Sequence, residues 1–176
     1  MTERGGVQDD GRAVIRSLWE HHWWCLGQIL LKAHELSEEE FTRDLRLSYG
    51  SFHGALAHLV GSEQVWAARV RRGESLAQVP GVAEMPDLAA VEAAWQDCKR
   101  DFQAIIDAGD FARTVEYRNT KGASFSDPLW LVLSHLVDHG AAYRGVLISA
   151  LRLLGHTPPV TGLIFYARQK GRRSDE

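Results

Sequence analysis

Ser134-His135-Leu136-Val137-Asp138-His139-Gly140-Ala141-Ala142-Tyr143-Arg144-Gly145 is the stretch on which the fold turns. Read as helix, its period puts His135, His139 and Tyr143 at successive i, i+4 positions, so the three side chains form one ladder. Val132, Leu136, Ala142 and Val146 share that side, and the ladder is expected to face an apolar interior rather than water. An imidazole or hydroxyl aimed there must find a partner, because an unpaired buried polar group costs about 1–3 kcal/mol. A metal ion is one such partner. Hydrogen bonding to neighbouring side chains is the other, and both stand open at this point.

Outward from this stretch, the 176 residues suffice for one domain with a real core. A polar leader is expected at 1–11, one domain at 12–170 and a charged, frayed tail at 171–176. Hydrophobic residues at 45% and charged residues at 24% suit an ordinary soluble domain. The formal net charge of −3 lacks the basic footprint of a nucleic-acid binder, so no nucleic-acid partner is expected. No apolar run approaches the length of a membrane span and the N-terminus does not read as a signal peptide. Cys25 and Cys98 belong to no paired motif, which suits reduced thiols and a cytoplasmic location. Six tryptophans are the unusual feature.

The chain order gives four long helices. The first is expected over Arg12–Ala33, with Ile15, Leu18, His22, Cys25, Leu26 and Ile29 on one face. His22 reads as a core histidine and Cys25 as a small hydrophobe with no neighbouring base. Ser37 with Glu40 has capping-box spacing and predicts a short capped turn. The second helix opens at Ser51 and ends near Gly73, with Phe52, Leu56, Leu59, Trp66 and Val70 as its stripe. Glu63 falls inside that stripe, out of place unless paired, while His58 lies on its shoulder. The segment from Gly73 to Pro86 is long for a simple hairpin and reads as a crossover. The third helix runs from the Asp87 cap to Gly109, with Trp95, Cys98 and Phe102 inward. A β-like hairpin follows over Phe111–Phe125, turning at Asn119–Gly122. The fourth helix is predicted to start with Asp127 as cap and Pro128 as its first residue, and to stop at Gly155. Val160–Gln169 is apolar enough for a last short helix.

This ordered set resembles the DinB family of damage-inducible-type proteins. The resemblance covers about Ile15 to Ala167. It rests on the tryptophan-rich first helix, Leu36-Ser-Glu-Glu-Glu-Phe41, Ser51-Phe-His-Gly-Ala-Leu-Ala-His58-Leu with Glu63 and Trp66, and Lys121-Gly122 before Pro128-Leu-Trp130. His135-Leu-Val-Asp-His139-Gly-Ala-Ala-Tyr-Arg144-Gly145, Leu154-Gly155 and Pro158-Pro159 complete it. The resemblance implies an all-α four-helix bundle of up-down-down-up topology, with a long crossover between helices 2 and 3 and a small β-like excursion before helix 4. It also implies a divalent metal such as zinc or nickel, held by one histidine of helix 2 and two of helix 4. His58 and His139 match two of these positions; the third falls on Tyr143.

Three arrangements follow from that departure. His135 supplies the third nitrogen; Tyr143 ligates or touches a metal-bound water; or the site is empty and Tyr143 bonds to His139. The activity implied is that of a thiol transferase using a small cellular thiol, with metal-dependent hydrolysis as the variant. Tyr143 is then a candidate catalytic residue, and Asp138 and Glu63 are candidates for orienting the imidazoles. Arg144, about 140° round the helix from His139, reads as structural. The alternative is a non-catalytic bundle with a degenerate site. The resemblance further implies a homodimer, for which Trp23 and Trp24 are the candidate surface.

Overall fold

The computed structural model describes residues 4–174, with side chains from 11 to 171. Its elements are the helices α1 (Arg4–Ala33), α2 (Glu38–Thr42), α3 (Phe52–Ala67), α4 (Leu88–Ala108), α5 (Leu129–Leu153) and α6 (Leu163–Ser174), with one hairpin, β1 (Thr114–Arg118) and β2 (Ser124–Pro128). The chain is thus mostly helical, with a single two-stranded antiparallel sheet among the described residues. No described helix is long and apolar enough to cross a membrane.

Local chemistry sets most boundaries. Ser37 and Glu40 form the full capping box on α2, and the side chains of Ser51 and Asp87 accept from Gly54 N and Ala90 N at the starts of α3 and α4. Gly73 and Gly109 end their helices at φ +66° and +69°, where only glycine sits without strain. Beyond Ala67 the third helix widens into one π turn, Ala68–Arg72. Three helices differ from expectation in their bounds. α1 begins at Arg4, ahead of Arg12 and inside the expected leader, while α6 begins at Leu163 and runs to Ser174, inside the expected tail. Residues 1–3 and 175–176 of those segments lie outside the described residues. Asp127 does not cap α5: it pairs with Val115 in the hairpin and its carboxylate accepts from Tyr117 Oη at 2.8 Å. The free N–H groups of Leu129 and Trp130 donate instead to the carbonyls of Arg113 and Phe111, so the hairpin replaces the cap.

Four long helices share one core. α3 packs on α4 and α5, and α1 packs on α5 and α4. His53 at the start of α3 bonds to Met85 O just ahead of α4, while Arg71 beyond its end pairs with Asp101 of α4. Along α1, Arg16 meets Asp107, Trp19 stacks on Phe102 at 4.7 Å and His34 meets Glu92. Phe52, Leu56, Phe102, Leu133, Leu136 and Leu147 fill the middle. Trp19, absent from the expected stripe, is among the most buried side chains.

Candidate functional site

The histidine ladder does not face the interior. The buried stripe of α5 is Leu129, Val132, Leu133, Leu136, Gly140, Leu147, Ala150 and Leu151. The ladder flanks that stripe: His135 is exposed, and His139 and Tyr143 are half-buried. Packing by α3 and α1 decides which side of α5 is covered, and the period alone does not reveal that choice.

His58 of α3 meets the lower half of the ladder. Its ring centroid lies 5.5 Å from that of His139 and 4.7 Å from that of Tyr143, and His139 and Tyr143 are 4.6 Å apart. His135 is not brought to His58. It stands 6.1 Å from His139 and packs edge-on to Trp66 at 5.8 Å. Among the described residues, no group of three or more His, Cys, Asp or Glu side chains converges to hold an ion.

Tyr49 completes the cluster and was missed in the sequence. Its ring stacks on His58 at 3.9 Å and lies 5.8 Å from Tyr143, while 53% of the residue remains exposed. The placement costs strain, since Tyr49 sits at φ +65°. It also needs Gly54, where a Cβ would lie 2.1 Å from the Tyr49 carbonyl. The tight Tyr49-Gly50-Ser51 turn, one helical turn and more ahead of His58, was the available signal.

Behind the histidines lies a buried pair. His22 bonds through Nε2 to Glu63 Oε1 at 2.8 Å, with both side chains almost fully buried. This answers the misplaced carboxylate of the α3 stripe and makes His22 a core histidine. His22 presses on α5 so closely that a Cβ on Gly140 would lie 2.3 Å from its Cε1. Glu63 Oε2 and His139 Nδ1 are both buried without partners, and the Glu63 charge acts on His139. Asp138 is exposed and acts on the same ring only electrostatically.

Burial pulls the His58 pKa down to about 4, helped by His139. Burial and then His135 pull His139 below its ordinary value. Both rings are therefore neutral at pH 7, with lone pairs available to an electrophile or a metal. Burial, then the neighbouring Tyr49, raises Tyr143 to about 12, so its hydroxyl keeps its proton. Both thiols are withdrawn from chemistry. Cys25 sits 3.1 Å from His21 Nε2, but that nitrogen donates to Thr161 O and is no base for the thiol, which burial raises to about 11. Cys98 is raised further, again by burial.

The sequence model of the DinB family matches residues 8–174, nearly the whole chain. The chain belongs to the DinB family. Membership places it among proteins that are usually metal-associated. No curated protein matches it. Of the residues expected to form the site, the structure brings together His58, His139 and Tyr143, and leaves His135 at the rim.

The donor set suits a metal in part. Two neutral imidazoles face one another, and the buried Nδ1 of His139 has no protein partner. The protonated phenol of Tyr143 is a poor ligand beside them.

Proposed function

We propose that this DinB protein is a divalent-metal-dependent enzyme that joins a low-molecular-weight thiol to an electrophilic carbon, with water in place of the thiol as the hydrolytic variant. The observation carrying this reading is the meeting of His58, His139 and Tyr143 at a solvent-facing edge. A bundle of up-down-down-up course frames it. His58 beside His139 with Trp66 beside His135 supports an antiparallel α3–α5 pair, His53 beside Met85 with Arg71 beside Asp101 a parallel α3–α4 pair, and Arg16 beside Asp107 with His34 beside Glu92 an antiparallel α1–α4 pair. In this reading His58 and His139 hold the ion, and His135 supplies a third nitrogen if its ring leaves Trp66. When bound, the ion would favour the thiolate or hydroxide form of the attacking group at neutral pH. Neither cysteine is available as a nucleophile, because both are buried with raised thiols. In this reading the nucleophile comes from solution. Tyr143 is placed to donate its proton to the developing negative charge of the substrate, and the buried Glu63 charge acts on the His139 ring from behind.

Metal content of untagged protein tests the reading. Near-stoichiometric metal in the wild type, lost in His58→Ala and His139→Ala, is the expected result. Loss in His135→Ala as well makes it the third ligand; retention leaves Tyr143 in that place. A second reading, a non-catalytic bundle with a degenerate site, is favoured by tyrosine standing where relatives of this type have histidine. It predicts metal absent from the wild type and present in Tyr143→His.

The expected dimer surface needs revision. Trp23 is buried and Trp24 packs against Tyr166 at 5.4 Å. A homodimer would instead use the exposed Val160, Leu163, Ile164 and Phe165, and light scattering on the eluting protein reads it.

A further inference from the structure

Arg69 is buried, 7% exposed, on the π turn that ends the third helix, and among the described residues no carboxylate pairs with it. Its guanidinium lies between two aromatic faces, with Cζ 4.6 Å from the Trp66 ring and 5.0 Å from the Tyr117 ring. Those rings offset part of the cost of burying the charge but accept none of its five N–H donors well. Nε is buried without a partner. The terminal nitrogens keep accessible surface and bond to nothing among the described residues. Asp127, the carboxylate beside Tyr117, is engaged by that ring's hydroxyl at 2.8 Å. A π turn is a costly local geometry that recurs at functional sites, and here it carries this cation.

We infer that Arg69 binds the carboxylate of a small anionic molecule, clamped between Trp66 and Tyr117. A planar carboxylate matches the terminal fork of a guanidinium, accepting two parallel N–H bonds, and it supplies the missing negative charge. The direction of the rest of such a molecule follows from the neighbours. Trp66, which covers Arg69 on one side, has His135 edge-on to its ring at 5.8 Å, and His135 is the step to His139. A ligand anchored at Arg69 thus extends along Trp66 toward the histidine site. The inference stands on Arg69 and its surroundings and does not require the metal-enzyme reading.

The test is anion binding by the full-length protein, with sodium propionate as probe against sodium chloride of equal ionic strength. Propionate is expected to raise the thermal midpoint by about 3 °C once it reaches roughly ten times its Kd. Arg69→Met should abolish the response, and Arg69→Lys, which keeps the charge and loses the fork, should weaken Kd at least about tenfold. His139→Ala should keep the wild-type response, which separates this site from the metal reading. An absent wild-type response, or one retained in full by either arginine variant, overturns the inference. Inorganic phosphate is the second arm: a shift with phosphate and none with propionate overturns the carboxylate assignment. If Arg69→Met fails to fold, the lysine variant alone decides the matter.

Discussion

His58 illustrates how one residue's surroundings set its chemistry. Its ring is covered by Tyr49 on one face and meets His139 and Tyr143, so the protonated form loses hydration and gains no anion. Its pKa falls from 6.5 to about 4. His139 and His21 move in the same direction, both chiefly by burial. The consequence for stability has a definite sign. Between about pH 4 and 6.5 the unfolded chain binds protons that the folded chain refuses, so stability is full above the unfolded value and is lost as pH falls through the window. Glu40, lowered to about 2 by the Ser37 backbone N–H and then by His156, shifts stability only below its ordinary 4.5. The histidine contribution is therefore read between pH 4.5 and 6.5. Denaturant unfolding of metal-free protein should show free energy rising with pH there, with a shallower slope in His58→Gln. A slope unchanged by that substitution would place the linkage in other groups.

At the scale of elements, the close approach of the crossover to α3 gives a sharp prediction. Gly61 faces the Pro80 carbonyl so closely that a Cβ would lie 2.0 Å from that oxygen. Gly61→Ala gains about 1 kcal/mol of helix propensity. The clash is with backbone, which cannot rotate away as a side chain does, and overpacking of this kind costs about 1–3 kcal/mol. The net effect should be a lower urea midpoint, with the helical signal retained. The elements legible in the sequence were those whose ends are fixed locally. Ser37, Ser51 and Asp87 cap groups three residues away, and Gly109 and Gly155 stop helices by their own positive φ. The start of α5 was misread because Arg113 and Phe111, on the far side of the hairpin, satisfy its first N–H groups. Nothing local marked the π turn either. The apolar Leu163–Phe165 run suggested packing, yet its three side chains are exposed.

For the whole molecule, the same division between local and long-range information separates the pairing of the site from its depth. The i, i+4 spacing of His139 and Tyr143 and the shoulder position of His58 were written in the sequence. How far each ring sinks was not, because α1, α3 and Tyr49 supply the cover. That division bears on what a metal would do for the fold. The core joins all four long helices through Trp19, Phe52, Leu56, Phe102, Leu133 and Leu147, none of which belongs to the site. The site lies on the half-buried flank of α5. An ion there would stabilise only by mass action, adding about 2.7 kcal/mol at a hundred times its Kd. Chelation of metal-loaded protein should thus lower the thermal midpoint while far-UV dichroism at 25 °C stays unchanged. The chelated wild type should then unfold near the midpoint of His139→Ala. Loss of helical signal on chelation would instead mean that metal binding and folding are one event, as in domains too small to hold a core without their ion.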